Sequence, residues 1–352
     1  MTPTPVLMLV SASVDARLRR DVAEGVRPRP EYLLLEAEHG VTLHDWSRLP
    51  GGARRGRSSW RSALHVAAAL RAIDHYDVVF SDGEHVGIPL ALALRAFRIA
   101  MPHVVIGHHL TTRAKAPLIR NLRAHEGMTR ILVHSSRQRE LAHQELGIPA
   151  AKLDYVPYYA DTEFWYPTGA AQEPLVVAAG REHRDYATLA AACKGLPASV
   201  FVAAGSIHSP AASSRDPVEW PSNFEQGFAD YRKLRNLYER ASVVVVPLVE
   251  TDFQAGVTTV LEAMAMGKAV VVSATRGQGG VVRDGITGIC VQPGNPAELG
   301  DAVRYLLESP AERRRLGWAA HEAVVAGYSV EAYASRLADH LADAAQVNRA
   351  AA

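Results

Sequence analysis

The chain has 352 residues, of which 48% are apolar and 21% are charged, a composition typical of a soluble globular protein with enough apolar material for two domains. No apolar run approaches the roughly 18 residues that a membrane-spanning helix needs, which excludes that class of protein. The net charge of +1 is divided unevenly, with 21 basic and 15 acidic residues in 1–160 and 17 and 22 in 161–352, as expected of two domains with different surfaces.

The first apolar run, Val6–Val10, predicts a buried strand. It is too short for a signal peptide, and no basic residues precede it. The next residues, "SASVDARLRRD", contain no glycine, so the G-x-G-x-x-G fingerprint of NAD enzymes is absent where it should lie. The sequence has no Walker motif either. Both observations argue against a dehydrogenase or an NTPase.

Short β-rich runs alternate with helical patterns along the chain, and this alternation predicts parallel, doubly wound α/β sheets. We expect strands at residues 6–10, 32–35, 78–80, 103–106, 131–133, 175–178, 200–203, 243–246, 269–272 and 288–291. We expect helices within residues 58–73, 135–146, 185–194, 231–241 and 297–309, with Ser135 or Ser136 and Asp185 as N-caps.

A linker at residues 155–174, with three prolines, is the best domain boundary. We place a first Rossmann-like domain at 1–160 and a second at 161–328, with a final helix at about 329–352 that crosses back to the first. The second domain includes a polar loop, residues 208–227, which is either functional or disordered. Cys193 and Cys290 lack the spacing of a metal site and are expected to be buried thiols in a reducing cytoplasm.

Two stretches of the first half are basic, one between Arg48 and Arg61 and one at residues 111–123. The simplest interpretation is a solvated basic face. The alternative is attraction to an anionic membrane or an acidic acceptor. A nucleic-acid partner is not expected, because no DNA- or RNA-binding signature accompanies the arginines. We therefore expect a cytoplasmic protein, with peripheral contact at the inner face of the membrane through Arg48 to Arg61 as the alternative.

The segment "FQAGVTTVLEAMAMGKAVVV", residues 253–272, carries the most informative functional pattern. It predicts a loop, a helix that begins near Val257 or Thr258, and a further strand. The free N–H groups of the first helical turn, together with the macrodipole, form an anion site where a diphosphate could rest. Gly256 would let the backbone approach that phosphate closely.

Two polar residues flank this site. Glu262 lies one turn into the helix and could accept hydrogen bonds from two ribose hydroxyls, whereas Gln254 would face the group attached to the diphosphate. The residues alone leave open a second interpretation, in which Glu262 is an exposed helix residue and Gln254 is a polar loop residue.

The segment "LEAMAMGKAVVVSA" resembles the donor-binding signature of family-4 glycosyltransferases, retaining enzymes in which a Glu-x7-Glu pattern leads into EAMA-x-G-x-P-V-V. Residues 134–167, "GREHRDYATLAAA" at 180–192 and "VVRDGITGICVQPGNPAEL" at 281–299 are similar to other parts of that family. The resemblance spans about residues 75–330. It implies a GT-B fold, in which two Rossmann-like domains face a cleft and the second holds a nucleotide-sugar.

The resemblance also implies roles for individual residues. Arg181, Arg184, Gly256, Val257 and Thr258 would bind the donor diphosphate, with Arg184 standing where the family has lysine. Cationic and N–H partners are what a diphosphate leaving group needs as its charge grows.

Further residues complete the implied site. Glu262 would bind the ribose, and His109, favoured by spacing over His108, would contact the donor sugar. The nucleobase would lie near Gly205, Ser206 and Phe228. No metal or other cofactor is implied, because the arginines and the helix N-terminus replace it.

Three departures from the family pattern limit what the resemblance implies. Gln254 replaces the first Glu of the pair, so it can hydrogen-bond a sugar hydroxyl but cannot act as base or nucleophile. Gly280 replaces the Glu that usually precedes "VVRDG", and the glycine-rich loop of the first domain is not recognisable.

The expected function is retaining transfer of a hexose from a UDP- or GDP-sugar to a hydroxyl of a small molecule, glycan or lipid. The alternatives are a GT-B relative with other chemistry, such as an epimerase or a pseudo-glycosyl coupling enzyme, and a degenerate nucleotide-sugar-binding subunit. Neither the acceptor nor the oligomeric state follows from the sequence.

Overall fold

The computed structural model describes residues 4–49, 58–205 and 218–351, and the chain divides into two compact units. The first unit comprises the described residues of Met1–Glu24, Arg29–Pro157 and Glu331–Ala352, and the second comprises those of Gly25–Pro28 and Tyr158–Val330. Each unit contains its own six-stranded sheet, and every strand pair is parallel. The predicted doubly wound α/β architecture is confirmed.

The sheet of the first unit has the strand order β2-β1-β3-β4-β5-β6. Its strands are β1 (Val6–Val10), β2 (Thr42–Asp45), β3 (Val78–Ser81), β4 (His103–Ile106), β5 (Arg130–Val133) and β6 (Leu153–Tyr155). The helices are α1 (Ala16–Ala23), α2 (Glu31–His39), α3 (Ser58–Ala72), α4 (Glu84–Ala96), α5 (Ala116–Arg120) and α6 (Ser136–Gln144). Every residue of β1, β3 and β4 is buried, because helices cover both faces of a parallel sheet.

The sheet of the second unit has the strand order β12-β11-β10-β7-β8-β9. Its strands are β7 (Leu175–Ala179), β8 (Ser199–Gly205), β9 (Phe224–Phe228), β10 (Val243–Val246), β11 (Ala269–Ser273) and β12 (Ile289–Val291). The helices are α7 (Tyr186–Cys193), α8 (Tyr231–Arg240), α9 (Val257–Ala265), α10 (Pro296–Glu308) and α11 (Pro310–Gly327), and α12 (Val330–Ala351) ends the chain. None of the described helices combines the length and apolarity needed to cross a membrane.

Each sheet has one point at which the strand order reverses. In the first unit this switch point lies between β1 and β3, and in the second it lies between β7 and β10. Ligands of open α/β sheets bind in the crevice outside the carboxyl ends of the strands at such a point. The loops that follow β7 and β10 are therefore the expected ligand-binding loops of the second unit.

One predicted strand is wrong: residues 32–35 lie in helix α2, whose C-cap, Gly40, is left-handed. The run "YLLL" contains no β-branched residue, and the polar segment Thr42–Asp45 forms the edge strand instead, with alternating burial. The short strands β6 and β9 were also not predicted, because edge strands need few apolar residues. Ser135, rather than Ser136, caps α6, and Asp185 caps α7. Cys193 is buried as expected, but Cys290, on edge strand β12, is only half-buried.

Candidate functional site

The loops after β7 and β10 are joined by main-chain hydrogen bonds at the switch point of the second unit. The Asp185 N–H donates to the Pro247 carbonyl at 3.0 Å, and the Val249 N–H donates to the His183 carbonyl at 3.0 Å. His183 has a left-handed backbone with φ 55°, a strained conformation for a residue with a side chain. The two loops therefore lie side by side along the carboxyl edge of β7 and β10, joined by these bonds.

Arg184 lies between the two loops and is only 4% exposed. Its guanidinium donates to the Ala179 carbonyl at 2.8 Å, the Glu182 carbonyl at 2.8 Å and the Thr259 hydroxyl at 3.1 Å. These bonds use three of its five N–H groups. Arg184 thus carries its positive charge beside the start of α9, where it bonds Thr259. The other predicted phosphate residue of this loop, Arg181, is half-buried and less enclosed.

Two glycines make room for this guanidinium. A Cβ on Gly180 would lie 2.4 Å from Arg184 Nη2, and one on Gly256 would lie 3.1 Å from Arg184 Nη1 and 2.8 Å from Val246 Cγ1. Both glycines also have positive φ, 95° and 71°. No other residue type fits either position without strain.

Helix α9 begins at Val257, as predicted, with Gly256 at the N-cap position. Thr258 is exposed in the first turn, whereas Val257 and Thr259 are buried. The first-turn N–H groups of a helix have no intrahelical acceptor and carry a partial positive charge. The N-terminus of α9 and the Arg184 guanidinium therefore place positive charge together at the switch point, an arrangement that can accept an anion.

Glu262 is buried in α9 at 6% exposure, which excludes the interpretation of an exposed helix residue. Burial raises the pKa of its carboxyl to about 8, against the opposing effects of the neighbouring Tyr238 hydroxyl and Arg184 guanidinium. The Tyr238 hydroxyl is buried beside Glu262 and Thr259. In the free protein at neutral pH, Glu262 is therefore mostly protonated, and it can both donate to and accept from a diol.

The raised pKa of Glu262 makes the stability of the second unit depend on pH. Between about pH 4.5 and 8 the unfolded chain loses this proton and the folded unit keeps it, so the free energy of unfolding should fall as the pH rises, by at most about 1.4 kcal/mol per pH unit. Glu262→Gln should remove this dependence. Thermal unfolding of both proteins from pH 5 to 9 measures it, and parallel curves would contradict the assignment.

Gln254 is 8% exposed, and neither its Nε2 nor its Oε1 finds a hydrogen-bond partner among the described residues. Its loop is held in place by two bonds: the Gln278 amide donates to the Ala255 carbonyl at 2.7 Å, and the Gly277 N–H donates to the Thr251 carbonyl at 2.8 Å. A buried amide without partners costs about 1–3 kcal/mol. Gln254 is thus available to a ligand group that both donates and accepts, as a hydroxyl does.

The residues predicted for the nucleobase lie at the carboxyl ends of β8 and β9. Gly205 and Phe228 pair with one another in the sheet register, and the Phe228 ring is 55% exposed, so it could stack on a flat ligand. Ser206 lies outside the described residues. The same holds for most of the basic stretch between Arg48 and Arg61, because residues 50–57 are not described.

His109 lies in the first unit, just beyond β4. Its N–H donates to Glu84 Oε1 at 2.7 Å, and the N–H of His108 donates to Glu84 Oε2 at 3.0 Å. The ring of His108 donates from Nε2 to the Asp82 carbonyl at 3.0 Å. Both histidines are half-buried, and His108 therefore has a fixed tautomer and a fixed ring.

Other residues at this edge of the first unit were not singled out from the sequence. The Ser11 hydroxyl donates to Asp82 Oδ1 at 2.7 Å and is also within hydrogen-bond distance of His85 Nε2. Burial raises the pKa of Asp82 to about 6, against the lowering effect of its bonds from Ser11. Asp82 follows the buried strand β3 directly, and His85 lies in the first turn of α4, positions that could have identified them.

Comparison with known proteins agrees with the geometry. The family profile described as "Glycosyl transferases group 1" matches residues 224–323. An alpha-D-kanosaminyltransferase from Streptomyces kanamyceticus is 24% identical over 280 residues, which cover 72% of this chain and 70% of that protein.

Solved structures show the same architecture along almost the whole chain. Sucrose-phosphate synthase from Thermosynechococcus elongatus superimposes with a TM-score of 0.71 at 20% identity, covering 96% of this chain and 98% of the other. Anabaena HepE, solved with UDP and glucose, superimposes with a TM-score of 0.67 at 14% identity, covering 96% and 99%. The predicted GT-B fold is confirmed.

Proposed function

We propose that this chain, which has the GT-B fold, is a glycosyltransferase that transfers a hexose from a UDP- or GDP-sugar to an acceptor hydroxyl with retention of anomeric configuration. The observation that carries the proposal is that Gly256, Arg184 and Glu262 lie close together at the switch point of the second unit. Similarity to HepE, which was solved with UDP and with UDP-glucose, supports a donor of this type.

The proposed donor lies along the carboxyl edge of the second sheet. The diphosphate binds the N-terminus of α9 at Gly256, Val257 and Thr258, with Arg181 and Arg184 supplying positive charge. Because phosphate charge grows as the sugar leaves, these groups stabilise the transition state more than the ground state. The proposed site uses no metal ion, since two arginines and the helix N-terminus would supply the positive charge that the phosphates need.

The proposed contacts of the ribose, the base and the sugar follow from where each residue lies in the second unit. The ribose hydroxyls bind Glu262, four residues beyond Thr258 in the same helix, and the base stacks near Phe228 at the end of β9. Gln254 binds a hydroxyl of the sugar through the amide atoms that have no partner among the described residues.

In the proposed reaction, the bond between the anomeric carbon and the phosphate oxygen breaks. The acceptor oxygen forms its bond to the same face of that carbon, and the acceptor proton passes to the leaving phosphate oxygen. The resemblance to family-4 enzymes assigns the contact with the donor sugar to His109. This route asks for no protein base in place of Gln254, so an amide there is compatible with transfer.

Thermal unfolding with UDP, GDP, ADP and dTDP, each in large excess, tests the donor site. A ligand at about 100 times its dissociation constant adds roughly 2.7 kcal/mol, which should raise the midpoint by several degrees with one nucleotide. Glu262→Ala should reduce the rise, because each hydrogen bond of the neutral carboxyl to the ribose is worth about 0.5–1.5 kcal/mol. No rise with any nucleotide would overturn the proposal.

Release of nucleoside diphosphate from UDP-glucose and GDP-mannose separates a transferase from a binding subunit. A transferase should hydrolyse its donor slowly even without acceptor, whereas a degenerate subunit should bind the donor and release nothing. Release that is lost in EDTA and restored by Mg²⁺ would contradict the metal-free mechanism.

A further inference from the structure

The turn formed by Gly107, His108 and His109 is held by side chains on both of its flanks. On one side, the carboxylate of Glu84 accepts the N–H groups of His108 and His109 at 3.0 and 2.7 Å. On the other, the Gln138 amide of α6 donates to the carbonyls of Gly107 and His108 at 2.7 Å each. The main chain of this turn therefore takes its conformation from two side chains of neighbouring helices.

We propose that Glu84 is a positioning residue of the transferase, which sets the histidine turn in the geometry that the donor sugar requires. The inference rests on the proposed function, since it is His109 that contacts the sugar there. Glu84 itself is 2% exposed and cannot reach a substrate without leaving the turn. It acts through the two N–H groups that it binds.

The carboxylate of Glu84 is well suited to this position. Its Oε1 also accepts from the Lys115 ammonium at 2.6 Å, so both oxygens are used and the charge is compensated. Glu84 stands in the first turn of α4, where the macrodipole favours a negative charge. The nearby charges of His108 and Lys115 and the hydrogen bond from Lys115 outweigh burial and lower the pKa of Glu84 to about 2, so the carboxylate stays ionised at neutral pH.

The packing of α4 fixes where the carboxylate lies. A Cβ on Gly87 would lie 2.5 Å from Val105 Cγ1, and one on Gly83 would lie 2.9 Å from the His85 ring and 3.6 Å from His108 Cδ2. The first turn of α4 thus lies in direct contact with β4 and the residues that follow it. A shift of Glu84 would move the turn with it, and displacements of about 1 Å can cost about a hundredfold in rate.

Glu84→Gln tests the proposal, because the amide keeps the size of the side chain but offers one oxygen instead of two and presents N–H groups to the turn. With the donor, UDP-glucose or GDP-mannose, that the parent hydrolyses, we expect kcat to fall at least tenfold. The KM for the donor and the midpoint shift with the matching nucleotide should stay within twofold, because the nucleotide binds the second unit.

Asp154→Asn is the matched control, because it also replaces an ion-paired carboxylate of the first unit by an amide. Asp154 pairs with Arg130 at 2.8 Å, and the variant should keep the parent kcat. Should Glu84→Gln fail to fold, Gln138→Leu releases the turn from its other flank and leaves Glu84 ionised, and it too should lower kcat. Parent kcat in a folded Glu84→Gln or Gln138→Leu, or an equal loss in Asp154→Asn, would overturn the inference. A parent that releases no nucleotide would overturn the proposed function and this inference with it.

Discussion

Arg184→Met should lower donor turnover by about a hundredfold or more, which is the loss seen when one preorganised donor is removed from a developing negative charge. Methionine keeps an unbranched apolar stem like that of arginine but removes the charge beside the start of α9. It also removes the bonds to Ala179, Glu182 and Thr259 that hold the two loops. Nucleoside diphosphate release under saturating donor measures the change, and calorimetry with the matching nucleotide measures binding.

A second substitution of Arg184 separates the effect of its charge from the effect of its hydrogen-bond geometry. Arg184→Lys keeps the charge but cannot form the three-way set of bonds, so it should fall between the parent and Arg184→Met. Arg304→Met, which removes an exposed arginine that pairs with Asp301 of its own helix, is the control and should behave as the parent does. Parent-like nucleotide binding in a folded Arg184→Met would remove Arg184 from the diphosphate site.

The central strands of both sheets could be predicted from the sequence, because their burial on both faces leaves uninterrupted apolar runs such as "VVVV" in β10. The edge strands could not. Strand β2 reads "TLHD" and β9 reads "FEQGF", and their pairing depends on neighbours far along the chain rather than on their own residues. The sequence of helix α2 predicts a strand for a related reason: three successive leucines show neither the period of a helix nor that of a strand.

The site of the second unit was more predictable than that of the first. Gly256, Glu262 and Arg184 stand in one motif or directly after a strand, so spacing alone brings them to one edge. The two side chains that hydrogen-bond the histidine turn, Glu84 and Gln138, lie 24 and 30 residues from His108. No local pattern connects residues so far apart, and only the parallel topology places their helices beside the same turn.

Gln254→Leu should make the protein more stable and the enzyme much slower. The amide of Gln254 is 8% exposed and lacks a partner among the described residues, so the folded protein carries an unsatisfied donor and acceptor. Leucine has a similar size and needs no hydrogen bond, and relief of the buried amide is worth about 1–3 kcal/mol. The unfolding midpoint without ligand should therefore rise by a few degrees.

Turnover should change in the opposite direction, because Gln254 is proposed to bind the donor sugar. Loss of its bonds to a sugar hydroxyl should lower kcat/KM for the nucleotide-sugar about tenfold or more, at about 1.4 kcal/mol per factor of ten, while affinity for the free nucleotide stays unchanged.

Gln254→Glu restores the family residue and should keep measurable turnover, but it should lack the gain in stability, since a buried carboxylate replaces the amide. A Gln254→Leu variant that is less stable than the parent would show that the amide has a structural partner. A Gln254→Leu variant with full turnover would show that the donor sugar does not bind Gln254. Gain of stability together with loss of sugar-dependent rate is the combination expected of a residue kept unsatisfied for its substrate.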